Sequence, residues 1–310
     1  MQRRVIVMGK NRLAVECARI VLETGDRVVL AVLDPSDDGH DSWQPSFRRA
    51  AVAADLPTFA PSDINSSTAV ARLTAERPEL VFSFQYAQIL RPAVIALAEL
   101  ATLNLHYGPL PRYRGVAPIA WALINGESTT GVTLHHVDPG VDSGDTVCTA
   151  TVPIARDDTG RSLYDKCTEA SIGMFSEWYP RVRTGNIPRI PQSAAEALYY
   201  NRHSIDFSRR AIAWPTDAER LANWIRAFIF PPYQYPTFRC GDLTLEVSAV
   251  DWDRLPHRVA SGEVIEMNEL GAIVGVPGGR ILLREVRCDG RAVQPSGFAR
   301  LGVRPGLRLN

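Results

Sequence analysis

The chain has 310 residues, 45% of them hydrophobic and 22% charged, and its 34 basic residues are balanced by 34 acidic ones. Zero net charge argues against the globally basic footprint of a nucleic-acid binder, and no apolar run reaches the roughly 20 residues of a membrane span. The length suffices for one large or two modest domains with their own cores.

In chain order, VIVM (5–8) is a short apolar strand, and Gly9-Lys10-Asn11 turns the chain into a helix over Leu13–Glu23. VVLAVL (28–33) is a second buried strand, and Pro45–Ala54 and Thr68–Glu76 have helical spacing. LVFSF (80–84) is the next strand, Ala93–Leu100 a helix, and ATLNLH (101–106) a further strand. Continuous apolar strands separated by helices predict a parallel sheet covered on both faces, an α/β arrangement. Function in such open sheets sits at the carboxyl ends of the strands. The turn after the first strand could hold an anion at the helix N-terminus, or simply turn the chain. It has neither the GxGxxG nor the Walker A pattern, which rejects a dinucleotide or ATP reading.

Thr159–Tyr179 reads as a long helix, 185–195 as a Pro-containing connector, and Asp217–Phe228 as a second helix. Short strands at 243–250, 262–267, 272–276 and 280–286 follow, bounded by turns, and predict a small β-rich barrel or sandwich. Cys17, Cys148, Cys167, Cys240 and Cys288 are scattered and lack CxxC spacing. They read as small apolar residues in a reducing compartment, and the N-terminus enters a strand without a signal-peptide pattern. A cytoplasmic location is expected. No His/Cys/Asp cluster has ligand spacing, so no metal is expected.

Asn104 and His106 sit at i and i+2 at the end of a strand, so their side chains share a face. A carboxylate, Asp142, follows in a Gly-bounded turn. An amide donor for an oxyanion, an imidazole proton carrier and a carboxylate to tune it make a kit for acyl transfer. The competing reading is a strand end whose polar groups cap a turn. Around these residues LPRYRG (110–115), WALINGE (121–127), TGVTLH (130–135) and DPGVDSGD (138–145) stand in one order at tight spacing.

With these motifs the chain resembles the 10-formyltetrahydrofolate-dependent formyltransferases, and within them is most similar to the enzymes that formylate amino sugars on nucleotide carriers. The resemblance implies an N-terminal Rossmann-like catalytic domain (1–185) with a mostly parallel sheet, a linker (186–206), and a smaller C-terminal β-rich, OB-like barrel domain (207–310). It implies that Asn104, His106 and Asp142 are catalytic and that the co-substrate is N10-formyltetrahydrofolate. SFQYAQILRP (83–92) matches the segment that meets the pterin, so Gln88, Ile89 and Leu90 would line the folate pocket. Pro139, Gly140 and Val141 would form its second wall. Lys10 and Asn11 would border the acceptor, Arg114 and Gly115 would shape the loop beside the catalytic pair, and His135 would face the site in support. Alternation puts His136 on the opposite face of its strand, where an exposed surface position is expected.

The acceptor is less defined. Phosphate binding needs positive charge, whereas LDPSDDGHDSWQPSF (33–47) carries Asp34, Asp37, Asp38 and Asp41 and no Lys or Arg. Lys occurs only at Lys10 and Lys166. These features favour a small nucleotide-linked amino sugar over methionyl-tRNA, with an amino-acid-type amine such as hydroxyornithine second. Trp214 and the aromatics of YYNR (199–202) and IRAFIFPPY (225–233) could stack a nucleotide base or pack a core. No nucleic-acid or membrane partner is expected, and a homodimer is compatible with the resemblance. A folate-binding module without turnover and a formyltetrahydrofolate hydrolase are the readings from other classes.

Overall fold

A computed structural model of the chain describes residues 2–41 and 43–310. Two compact units are present, one made of Met1–Val116, Thr130–Val152 and Lys166–Asn201, the other of Ala117–Thr129, Pro153–Asp165 and Arg202–Asn310.

The first unit begins with β1 (Arg4–Gly9), α1 (Asn11–Glu23), β2 (Arg27–Leu33), α2 (Phe47–Ala53) and β3 (Thr58–Phe59). It continues through α3 (Ser67–Ala75), β4 (Leu80–Phe84), α4 (Pro92–Ile95), β5 (Ala101–His106) and the two-residue β6 (Arg114–Gly115). Leu13, Ala14, Cys17, Ala18 and Val21 recur at three- and four-residue spacing and give α1 its buried face. Ser46 and Ser66 start α2 and α3 by accepting the amides of Arg49 and Ala69. The helix expected over Ala93–Leu100 stops at Ile95. The Glu99 and Leu100 amides are taken by the Pro78 and Glu79 carbonyls, which lead the chain straight into β5.

β7 (Thr129–His136) and β8 (Thr146–Pro153) complete a seven-stranded sheet of order β3-β2-β1-β4-β5-β7-β8. Pairing is parallel from β3 to β5 and antiparallel between β5 and β7. Strand order reverses between β1 and β4, so the carboxyl ends there and at β5 border the crevice where ligands bind in such sheets. One core gathers Ile6, Met8, Val32, Leu73, Val81 and Val94. Phe82 and Phe84 meet Phe175 of α6 (Gly160–Val182) edge-on at 5.1 and 5.2 Å. After α6 the chain returns to β6 through β9 (Tyr199–Tyr200), which pairs with it in parallel.

The second unit contains α5 (Pro118–Ile124), a helix with Pro at its first position. It also contains α7 (Ala218–Phe228), capped by the Asp217 carboxylate on the Glu219 and Arg220 amides. Its sheet is built from β10 (Thr237–Cys240), β11 (Leu243–Asp253), β12 (Val264–Asn268), β13 (Gly271–Val276), β14 (Gly279–Cys288) and β15 (Arg291–Val293). The path runs β10-β11-β14-β13-β12, all antiparallel, with β15 on β14. Trp214, Leu221, Ile225, Phe238, Val274 and Leu283 belong to its core. Among the described residues, no helix is long and apolar enough to cross a membrane.

Candidate active site

β5 and β7 pair so that Asn104 stands opposite His135 and His106 opposite Thr133. The Asn104 side-chain nitrogen lies 3.0 Å from His135 Nε2. The other ring nitrogen of His135, Nδ1, lies 2.8 Å from the His136 carbonyl. A carbonyl only accepts, so Nδ1 carries the proton in the neutral ring and Nε2 accepts from Asn104. This assignment orients the amide: one Asn104 N–H is spent on His135 and the other remains for a ligand.

His106 follows the same logic. Its Nε2 lies 2.7 Å from the Tyr113 carbonyl and so donates there, which leaves Nδ1 toward Asp142, with Nδ1 to Oδ2 at 3.5 Å. Gly108 allows this placement, since a Cβ there would come within 2.8 Å of His106 Nε2. Burial pushes the His106 ring below its ordinary pKa, against the opposing pull of Asp142 and the Tyr113 carbonyl. At neutral pH the ring is therefore neutral, with Nδ1 able to take a proton facing a carboxylate.

Asp142 lies in a left-handed backbone conformation, φ 51°. Its Oδ2 accepts the Gly115 amide at 2.8 Å, and its Oδ1 lies 3.6 Å from His135 Nε2. Burial alone would raise the Asp142 pKa; His106, His135 and the Gly115 amide outweigh it and hold the carboxyl well below the usual range. Gly115 is required here. Its φ is +90°, and a Cβ would run into the Tyr200 carbonyl of the paired strand. The loop is braced further by Ser143 Oγ, which donates to the Asp138 carboxylate.

The structure thus brings together Asn104, His106, His135, Asp142 and Gly115. The remaining sequence-predicted residues have other partners. Arg114 donates through Nε and Nη2 to Gln192 Oε1 at 3.0 and 2.7 Å. Lys10 Nζ bonds Ser36 Oγ at 2.9 Å and lies 3.8 Å from Asp34, at the β1 turn that also holds Asn11. The Gln88 side chain ties the Ile64 amide to the Pro61 carbonyl. Ile89 is 69% exposed, Leu90 is in the core, and Pro139, Gly140 and Val141 are exposed. Trp214 is 3% exposed and packs the core of the second unit.

One expectation needs correction. His136 is buried, with Nε2 3.0 Å from the Pro188 carbonyl, because β7 lies inside the sheet and both its faces are covered. In the acidic segment, two of the four carboxylates are internal. Asp34 is buried and accepts from Ser36 and the Ala87 amide, while Asp37 is buried and accepts from Ser46, Gly39 and Arg48. Two residues escaped sequence reasoning. Gln192 lies in an aperiodic connector, and the Tyr113 group that matters is a carbonyl, which any residue would supply. Among the described residues, no group of three or more His, Cys, Asp or Glu could hold a metal.

A family model described as Formyl transferase matches residues 4–181. In fold, the chain is similar to an N-formyltransferase from Helicobacter canadensis, solved in complex with folinic acid and dTDP-3-aminofucose. Identity is 23%, coverage 92% of this chain and 99% of that one, and the TM-score 0.73. It is similar to WlaRD, a sugar 3N-formyl transferase solved in the presence of dTDP and 5-N-formyl-THF, at 23% identity, 92% and 98% coverage and a TM-score of 0.73. A 4-N formyltransferase from Francisella tularensis matches at 18% identity, 76% and 91% coverage and a TM-score of 0.64.

Proposed function

The chain belongs to the formyl transferase family, and from that premise we propose that this enzyme moves the formyl group of N10-formyltetrahydrofolate onto the primary amine of a nucleotide-linked amino sugar. One observation carries the reading. An oriented amide donor, a neutral buried imidazole and a carboxylate held ionised converge at the carboxyl end of β5.

The neutral amine attacks the formyl carbon, and the carbonyl electron pair moves to oxygen. The Asn104 N–H not engaged by His135 donates to that oxyanion. His106 Nδ1 receives the proton the amine gives up, and Asp142 stabilises the imidazolium that results. The carbonyl then re-forms, the bond to the folate nitrogen breaks, and that nitrogen takes the proton back from His106. The protons balance: the amine loses one and the folate nitrogen gains one. His135 fixes the Asn104 amide.

Folate recognition falls to backbone groups of 88–90 and to the exposed apolar surfaces of Ile89 and Val141, since the Gln88 side chain already holds the 61–64 segment. Support for a nucleotide-linked amino sugar comes from the relatives solved with dTDP-3-aminofucose or dTDP, which match nearly end to end. Because Asp34 and Asp37 are internal anchors, the case from charge against tRNA rests mainly on the absence of Lys and Arg from 33–47.

Purified protein incubated with 10-formyltetrahydrofolate and a panel of nucleotide amino sugars, hydroxyornithine and methionyl-tRNA tests the assignment by mass spectrometry of the acceptors. A formyl mass gain on a nucleotide amino sugar, saturable and little affected by salt, is the expected result. Preferential formylation of hydroxyornithine, or efficient salt-sensitive formylation of methionyl-tRNA, would overturn the acceptor.

A further inference from the structure

We infer that Gln192 is a positioning residue that sets Asp142 against His106, and that the segment joining α6 to β9 is part of the catalytic apparatus through it. The inference rests on the proposed formyl transfer for its catalytic consequence, though its geometry stands by itself.

Every hydrogen-bonding function of the Gln192 amide is matched. Nε2 donates to the Asp142 carbonyl at 2.9 Å and to the Gly144 carbonyl at 2.6 Å. Oε1 accepts both Nε and Nη2 of Arg114. The neighbouring Gly115 amide holds the Asp142 carboxylate at the same time. Asp142 is therefore gripped twice from β6: at its carboxylate by Gly115 directly, and at its backbone by Arg114 through Gln192. Such holding is needed, because φ 51° is a conformation that non-glycine residues adopt rarely and keep only when neighbours enforce it.

The segment that carries Gln192 is itself anchored on both sides. Ile190 exchanges backbone bonds with Thr146 at the end of the 138–145 loop. Further on, the Leu198 and Tyr200 carbonyls accept the Arg114 and Val116 amides. A single amide side chain thus spans the loop that carries the carboxylate and the strand that aims it. The groups facing His106 are Asp142, the His135 ring at 6.4 Å between centroids, and the Tyr113 carbonyl. Releasing the Asp142 backbone changes the first of these and leaves the other two in place.

The test uses Gln192→Ala and Gln192→Glu in the full chain, beside Asp142→Asn. Gln192→Glu keeps an acceptor for Arg114 but loses the donors to the loop, so it isolates the contact that matters. Histidine NMR titration, with His106 assigned by loss of its signal in His106→Gln, reads the positioning without any substrate. Asp142 raises the His106 pKa, so both Gln192 variants should move the His106 midpoint to lower pH, as Asp142→Asn does. Single-turnover formyl transfer should fall about 10- to 100-fold, the usual cost of misplacing a catalytic group by an ångström or so, with KM for folate little changed. A folded variant with the wild-type His106 midpoint and turnover overturns the inference. So does a variant that loses only melting temperature, which marks a merely structural role. If Gln192→Ala fails to fold, Gln192→Glu supplies the same readings. If the wild-type protein transfers no formyl group, the proposed function fails, while the titration still decides the positioning.

Discussion

Asn104→Ala removes the side-chain donor that the proposed mechanism assigns to the oxyanion. The amide engages His135 Nε2 at 3.0 Å through one hydrogen, and His135 is locked by its own bond to the His136 carbonyl. The second hydrogen is thereby held in a fixed direction, at no reorganisation cost when charge develops. Losing one such preorganised donor costs about 2.7–4 kcal/mol in the transition state, or about 10²–10³ in rate. The fold should survive, because Asn104 is only partly buried and its loss leaves one His135 acceptor unpaired, a penalty of about 1–3 kcal/mol. The assay is single-turnover transfer under saturating folate, so that chemistry and not product release is read. His135→Phe supplies the control: alone it should slow transfer, but in the Asn104→Ala background it should add little, since His135 acts largely through the amide. A rate for Asn104→Ala within about threefold of wild type, far short of the loss of an oxyanion donor, would refute the reasoning. Full multiplication of the two losses would refute the coupling.

Asp34→Asn should raise KM for folate with little change in kcat, because Asp34 accepts the Ala87 amide at the head of the 88–90 segment; equal loss in kcat, measured in steady state, would place Asp34 in the chemistry instead. Gly115→Ala should destabilise the protein and abolish activity together, since its φ of +90° and the Tyr200 carbonyl both exclude a Cβ; a thermal melt equal to wild type would contradict the packing. The pH dependence has a definite sign. Burial lowers the folded His106 and His136 pKa values below 6.5, so the unfolded chain binds more protons and stability falls as pH drops below about 6.5. Asp142 is depressed, so its stabilisation is present above about pH 4 and is lost as pH falls further. Melting temperatures across pH 2–8 should therefore decline in two stages, and transfer should lose rate on the acid side as His106 becomes protonated. A flat melting profile between pH 7 and 5 would contradict the buried neutral histidines.

Much of this was legible in the sequence for definite reasons. Asn104 and His106 stood out as an amide and an imidazole two residues apart at the end of a strand, and both meet the group around Asp142, His106 directly and Asn104 through His135. α7 was found to within a residue from its apolar stripe of helical spacing; Asp217, expected inside the helix, is its cap. His136 misled because alternation separates inside from outside only in a strand with one wet face, and β7 is covered on both. The role of Asp34 and Asp37 had no signal, because composition shows only their charge, whereas these two accept from loop amides and hydroxyls in the interior. α5 had its signal, Pro118 ahead of an apolar run, but the segment's motif drew attention first. Gln192 had no signal, since an amide in a Pro-containing connector carries neither periodicity nor charge.

Formyl transfer to an amine is the reaction proposed for this site. Carbon-13 at the formyl position of 10-formyltetrahydrofolate follows it directly by NMR in the presence of a nucleotide amino sugar. The labelled carbon should leave the folate and appear as a formamide bonded to the sugar nitrogen, with wild-type protein and not with Asn104→Ala. Label released as formate, or label that stays on the folate with every amine offered, would contradict it.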